Sequence, residues 1–124
     1  MYREDTQIQP NEIETLRNIA LKVAKPNCLF LEVGSWCGET TKVLGRIAKE
    51  NNGYLFCIDW WKGSPGTDLK DIATQNDIYS YFWEKIRKEE LDDIVIPIRG
   101  SSFVAYKILK EQTFDLIFID ASHI

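Results

Sequence analysis

The residues with the clearest chemical potential form a short turn between an apolar segment and a helical one. Glu32 lies near the end of the apolar run, and Gly34 and Gly38 follow it. Glycine allows a sharp turn and a close approach of the backbone to a ligand, and the first amides of the next helix face that ligand without intrahelical partners. We therefore predict a strand, a tight turn and a helix N-terminus that together bind a small molecule. The alternative is a turn needed only for packing the helix on the strand.

Polar residues of chemical interest also come after the other apolar segments of the chain. Asp59 follows the second such segment, Ser101 comes after the third, and Asp120 and His123 come after the fourth. The carboxyl ends of parallel strands lie along one edge of a sheet, where α/β proteins bind their ligands. If these segments are parallel strands, the sequence predicts that these side chains surround one site.

The spacing of apolar residues predicts helices that alternate with strands. Asn11, with Glu14 three residues later, is predicted to cap a first helix that ends before Pro26. The other predicted helices share an apolar stripe, and they cover residues 40–50, a segment containing Ile78, Phe82 and Ile86, and residues 102–111. The predicted strands are short apolar runs, and they cover residues 28–33, 54–59, 94–99 and 114–120.

This alternation predicts an α/β fold with a doubly wound parallel sheet, because strand–helix–strand units form right-handed crossovers. Pro97 lies inside the third predicted strand, and proline cannot donate a hydrogen bond to a sheet ladder. We therefore expect the third strand at an edge of the sheet.

The motif Glu32-x-Gly34-x-x-x-Gly38 resembles the first motif of the class I S-adenosylmethionine-dependent methyltransferases. The resemblance implies a Rossmann-like sheet that begins with strand order 3-2-1-4, which agrees with the edge position inferred from Pro97. It also implies that Gly34, Ser35 and Gly38 hold the methionine end of the cofactor through backbone amides. Glu32 would order the turn or meet the cofactor's amino group through water.

The same resemblance gives roles to residues after the second and third strands. Asp59 would accept hydrogen bonds from the ribose hydroxyls, although a cap for the following loop is an alternative. Trp60 or Trp61 would cover the adenine, and the other tryptophan would belong to the core or to a substrate wall. Ser101 would lie near the adenine amino group, or else cap the next helix.

Asp120 and His123 resemble the fourth-strand motif of metal-dependent O-methyltransferases of small molecules, of the cephalosporin and macrolide-sugar type. In such enzymes the aspartate binds magnesium and the histidine acts as general base. We accordingly predict Asp120 as a metal ligand at the edge of the cofactor site and His123 as the catalytic base for a hydroxyl acceptor. A structural role is the alternative for this single histidine.

Composition narrows the function classes further. The 124 residues have room for one domain, and a net charge of −4 without a basic face disfavours a nucleic-acid partner. No apolar run is long enough for a membrane span, so we expect a cytoplasmic protein with a small-molecule substrate. Three cysteines without a Cys-x-x-Cys pair indicate neither a disulfide framework nor a zinc site.

Two further expectations concern the end of the chain and the competing functions. The family fold continues with strands 5 to 7, which this sequence lacks, so we expect a missing C-terminal part or a partner, such as a second copy, on the fourth-strand edge. One competing function is a nicotinamide-dependent oxidoreductase, but Trp36 stands where a dinucleotide loop has glycine and would crowd a pyrophosphate. The other is a non-catalytic module that binds a nucleoside or a partner protein.

Overall fold

A computed structural model describes residues 9–34, 38–59, 61, 78–100, 107, 110 and 113–119. The three described helices are α1 (Pro10–Val23), α2 (Glu39–Glu50) and α3 (Ile78–Lys88). The four described strands are β1 (Leu29–Val33), β2 (Tyr54–Asp59), β3 (Val95–Arg99) and β4 (Leu116–Ile119). The predicted helix over residues 102–111 lies outside the described residues except for two lysines.

The four strands form one parallel sheet in the order β3-β2-β1-β4. This confirms the predicted fold class and strand order. Pro97 lies in β3, at one edge, and is in register with Cys57 of β2. Because an edge strand has one side without ladder partners, the missing N–H of proline is tolerated there.

Strand β4 forms the other edge of the described sheet. Ile117 and Ile119 on this strand are 53% and 48% exposed, which is high for isoleucine in an α/β sheet. The prediction that a further segment or a second copy covers this edge remains a prediction.

The start of α1 corrects the predicted cap. Gln9, and not Asn11, is the N-cap residue, and its N–H donates to the Glu12 carboxylate at 3.3 Å. Pro10 is the first helical residue, because its fixed φ suits that position and its missing N–H would have no intrahelical partner there. The proline therefore moves the capping pair two residues towards the N-terminus.

The main core lies between the sheet and the layer of α1, α2 and α3. Phe30, Leu44 and Leu55 are fully buried in it, and the predicted stripe of α3, Ile78, Phe82 and Ile86, faces the same core. The opposite face of the sheet carries a smaller cluster around Leu31 and Ile58. Strand residues with alternating side chains therefore contribute to both faces, as expected for a covered parallel sheet.

Helix α2 ends at Glu50, as the predicted range 40–50 requires, and Asn52 and Gly53 lie in the turn to β2. Asn52 has a φ of +57°, and the Gly53 N–H donates to the Ala48 carbonyl at 2.8 Å. A Cβ on Gly53 would lie 2.1 Å from the Cys28 carbonyl oxygen, so only glycine fits beside the start of β1. Cys28 and Cys57 are buried free thiols.

Side chains of α2 hold the C-terminal end of α3. Arg46 donates to the Glu89 carbonyl at 2.8 Å, and Lys49 donates to the Glu90 carbonyl. Cations are favourable at a helix C-terminus because they complement its dipole and its unpaired carbonyls. These contacts fix α3 against α2, and thereby against the glycine turn at the start of α2. No helix in the described part of the chain is long and apolar enough to cross a membrane.

Candidate functional site

The glycine turn after β1 has the backbone conformation that its sequence predicts. Gly34 and Gly38 have φ values of +90° and +92°, in the left-handed region that favours glycine. The Gly34 N–H donates to the Ile58 carbonyl at 2.7 Å, which ties the turn to β2. A Cβ on Gly38 would lie 3.2 Å from the Phe82 ring, so α3 packs directly on this position. Ser35 lies outside the described residues.

Glu32 is fully buried at the end of β1, on the face of the sheet that α2 covers. Its two carboxylate oxygens accept hydrogen bonds from the hydroxyls of Thr40 and Thr41. These threonines are the second and third residues of α2, and they are 9% and 0% exposed. Glu32 therefore joins the strand to the first turn of the helix, which is the turn-ordering role among its two predicted roles.

The N-terminus of α2 has no side-chain cap at its N-cap residue, and the side-chain charges at its first turn are balanced. Gly38 is the N-cap residue and has no side chain that could accept bonds from the first-turn amides. Glu39, the first helical residue, forms ion pairs with Lys42 at 3.3 Å and Lys85 at 3.0 Å. Its carboxylate is thus paired with two cations, and Glu32 is the second acid beside the turn.

Asp59 ends β2 next to the glycine turn, because Ile58 is in register with Val33 of β1. The Asp59 side chain is 5% exposed, and its Oδ1 accepts a hydrogen bond from the Trp61 N–H at 2.8 Å. This bond is the loop cap that was the alternative to ribose binding. Asp59 therefore lies where the prediction requires it, while its contact with a ribose remains a prediction.

Trp61 belongs to the core. It is 3% exposed, and its ring centroid lies 4.8 Å from that of Tyr79 and 4.9 Å from that of Phe82. Of the two adjacent tryptophans, Trp60 is therefore the remaining candidate for covering an adenine, and it lies outside the described residues.

Arg99, at the end of β3, was not singled out from the sequence. It is in register with Asp59, and its guanidinium carbon lies 4.3 Å from the centroid of the Tyr79 ring. The Gly100 N–H donates to the Asp59 carbonyl at 3.0 Å. This cation–π pair borders the carboxyl ends of β2 and β3, and neither residue carries a local motif that would predict it.

The remaining predicted site residues, Ser101, Asp120 and His123, lie outside the described residues. Ile119, the last described residue of β4, is in register with Val33 of β1. The described ranges contain no group of three or more histidine, cysteine, aspartate or glutamate side chains that could hold a metal ion. The structure therefore brings together Glu32, both turn glycines and Asp59.

Thr40 and Thr41 are the functional candidates that sequence reasoning missed. A signal for them was present, since a glutamate in a buried apolar strand needs hydrogen-bond donors. Two hydroxyl residues in the first turn of the next helix are such donors.

Known methyltransferase structures share this fold. The chain superposes on the Podospora anserina methyltransferase PaMTH1 bound to SAH with a TM-score of 0.71 and 19% identity, covering 96% of this chain and 44% of that one. For the O-methyltransferase TomG of Streptomyces achromogenes in complex with SAM, the TM-score is 0.68 at 16% identity, covering 94% and 46%. Cofactor-bound Rv0187 from MTB superposes with a TM-score of 0.69 and 19% identity, covering 93% of this chain and 45% of that one.

The chain thus spans less than half the length of each of these proteins. Its own sequence gives a more specific result, because residues 31–124 match the family model described as a methyltransferase domain. This match begins in β1, immediately before Glu32, and includes the glycine turn and Asp59. Since it covers most of the chain, the protein belongs to the methyltransferase-domain family.

Proposed function

We propose that this chain binds S-adenosylmethionine and forms part of an enzyme that transfers its methyl group to a hydroxyl of a small molecule. The observation that carries the proposal is the buried Glu32 carboxylate beneath the glycine turn. Family membership and the SAM and SAH in the TomG and PaMTH1 structures support the choice of cofactor.

The charge around the turn favours the methionine end of this cofactor over a pyrophosphate. The methionine end is a zwitterion, whose carboxylate suits the first amides of α2 and whose ammonium suits a nearby acid. A pyrophosphate carries two negative charges, and the acidic Glu32 would disfavour it at the same place because like charges repel. This disfavours the nicotinamide-dependent alternative on grounds independent of Trp36.

The nucleoside would lie along the ends of β2 and β3. Asp59 would accept hydrogen bonds from the ribose hydroxyls, and Trp60 would cover the adenine. Ser101 would lie near the adenine amino group. The position of Asp59, one strand away from Gly34, supports this direction of the cofactor across the sheet.

The reaction requires a deprotonated acceptor. As the acceptor oxygen attacks the methyl carbon, the carbon–sulfur bond breaks and its electron pair goes to sulfur, giving S-adenosylhomocysteine and a methyl ether. His123 would take the hydroxyl proton, because imidazole titrates near neutrality. Magnesium held by Asp120 would lower the pKa of the hydroxyl, and Asp120 is the one ligand that we assign.

Calorimetric titration of the 124-residue chain with S-adenosylhomocysteine tests the cofactor assignment. We expect one site per chain, and we expect Asp59→Ala to abolish binding. NAD, titrated in the same way, should give no heat of binding. A folded wild-type chain that binds NAD but not S-adenosylhomocysteine would contradict the proposal. Cofactor binding without transfer to any hydroxyl by the natural protein would favour a non-catalytic nucleoside-binding module instead.

A further inference from the structure

The contact between Glu32 and the two threonines is almost completely shielded from water. Glu32 and Thr41 are 0% exposed, and Thr40 is 9% exposed. Each threonine hydroxyl donates to a different oxygen of the same carboxylate. We refer to these three side chains, Glu32, Thr40 and Thr41, as the carboxylate clamp.

Burial of a carboxylate is costly, and the two hydroxyl donors offset part of that cost. Apolar residues of similar volume would fill the same space between β1 and α2 without this penalty. The clamp fixes the angle and distance between β1 and α2 more narrowly than apolar packing would, because hydrogen bonds are directional and dispersion contacts are not.

The clamp lies at the base of the glycine turn. Glu32 precedes Gly34 by two residues, and Thr40 follows Gly38 by two residues. Gly38 has no side chain that could fix the start of α2, and the Phe82 ring packs on it. The bonds from Thr40 and Thr41 to Glu32 therefore add a direct link between β1 and the first turn of α2 that helps to orient its amides.

We propose that Thr40 and Thr41 are positioning residues for the methionine end of the cofactor. They act through Glu32, without touching the cofactor, by holding the first-turn amides of α2 in the orientation that receives the methionine carboxylate. This inference rests on the proposed function, because it requires a ligand with a carboxylate at the turn. It assigns no role to the clamp in binding the nucleoside, which lies over β2 and β3.

The test compares two ligands on the same variants. Thr40→Val and Thr41→Val remove one hydroxyl each at almost constant volume, and calorimetry measures their affinity for S-adenosylhomocysteine and for adenosine, which lacks the methionine part. We expect S-adenosylhomocysteine binding to weaken on the order of tenfold. Adenosine binding should change less than about twofold.

Two controls separate positioning from general destabilisation. Thr41→Ser keeps the hydroxyl and should restore S-adenosylhomocysteine affinity towards that of the wild type. Thr15→Val removes a threonine hydroxyl that donates to the Asn11 carbonyl at 3.0 Å in α1, far along the chain from the turn, and should change neither affinity. Thermal unfolding of each variant shows that the fold is kept, and Thr40→Val, at the more exposed position, carries the test if Thr41→Val does not fold.

The outcomes are distinct. Unchanged S-adenosylhomocysteine affinity in both valine variants would overturn the positioning role and leave the proposed function intact. Equal weakening of both ligands would also overturn it, because a merely structural contact would affect the whole site. A folded wild-type chain without affinity for S-adenosylhomocysteine would overturn the proposed function and this inference with it.

Discussion

Replacement of Gly38 by alanine tests whether the turn has the backbone conformation on which the site depends. An alanine at a φ of +92° leaves the allowed region for L-residues, at a cost of about 1–2 kcal/mol. The new Cβ would also lie 3.2 Å from the Phe82 ring, which is fully buried and has little room to move, adding about 1 kcal/mol. The lower entropy of the unfolded alanine chain returns about 0.4–1 kcal/mol.

We therefore expect Gly38→Ala to lower the free energy of unfolding by about 2 kcal/mol. For a chain of this size the loss corresponds to a fall in melting temperature of about 8 °C. Urea denaturation followed by tryptophan fluorescence measures the first quantity, and calorimetry measures the second. Both can be measured without any cofactor.

Gly100→Ala is the matched control. A Cβ on Gly100 would meet no atom of the described residues within 4 Å, and the φ of Gly100 does not lie in the left-handed region, so we expect a change in the free energy of unfolding within about 0.5 kcal/mol. The double variant Gly38→Ala, Phe82→Leu should lose about 0.5–1 kcal/mol less unfolding free energy than the sum of the two single losses, because leucine removes part of the contact with the new Cβ. Equal stability of the Gly38→Ala and Gly100→Ala variants would refute the described turn.

Three further predictions concern other parts of the molecule. The Leu29 N–H and Lys25 lower the pKa of Asp115, so the stability that Asp115 contributes is present above its unfolded value of 3.8 and lost as the pH falls through the lower folded value. Urea midpoints of Asp115→Asn and wild type should therefore differ at pH 7 and converge once the pH is below the folded pKa. Trp61→Ala should cost about 3–5 kcal/mol in denaturant unfolding, because the ring is buried in the aromatic cluster. In the metal-loaded natural protein, His123→Ala should slow methyl transfer by about 10²–10⁴-fold, and an unchanged rate would remove the general base.

The α/β class and the edge position of β3 could be predicted from local features, because alternating apolar strands and helices restrict the topology and Pro97 places its own strand at an edge. The full strand order was implied by the resemblance to the methyltransferases. The cap of α1 could not be predicted as well, because Asn11 and Gln9 both precede a glutamate by three residues. The choice between them depends on the fit of Pro10 at the first helical position.

The site was predictable where neighbouring residues form a recognisable pattern, and less so where two distant segments meet. Gly34 and Gly38 lie between a predicted strand and a predicted helix, where glycine is typical of a tight turn, and both have a positive φ. The cation–π pair of Arg99 with Tyr79 joins residues 20 positions apart, and its formation depends on how α3 packs over β2 and β3. The assignment of Trp61 to the core likewise depends on the Tyr79 and Phe82 rings, which no local pattern brings to it.

The central claim is that the turn after β1 and the end of β2 bind one cofactor. Two-dimensional ¹⁵N NMR of the 124-residue chain, titrated with S-adenosylhomocysteine, tests it most directly because each backbone amide reports its own position. We predict saturable shifts of the Gly34, Gly38 and Thr40 amides together with those of Asp59 and Trp61, while α1 amides stay unchanged. Saturable shifts confined to residues outside the turn and the end of β2, or no shifts at millimolar ligand, would contradict the claim.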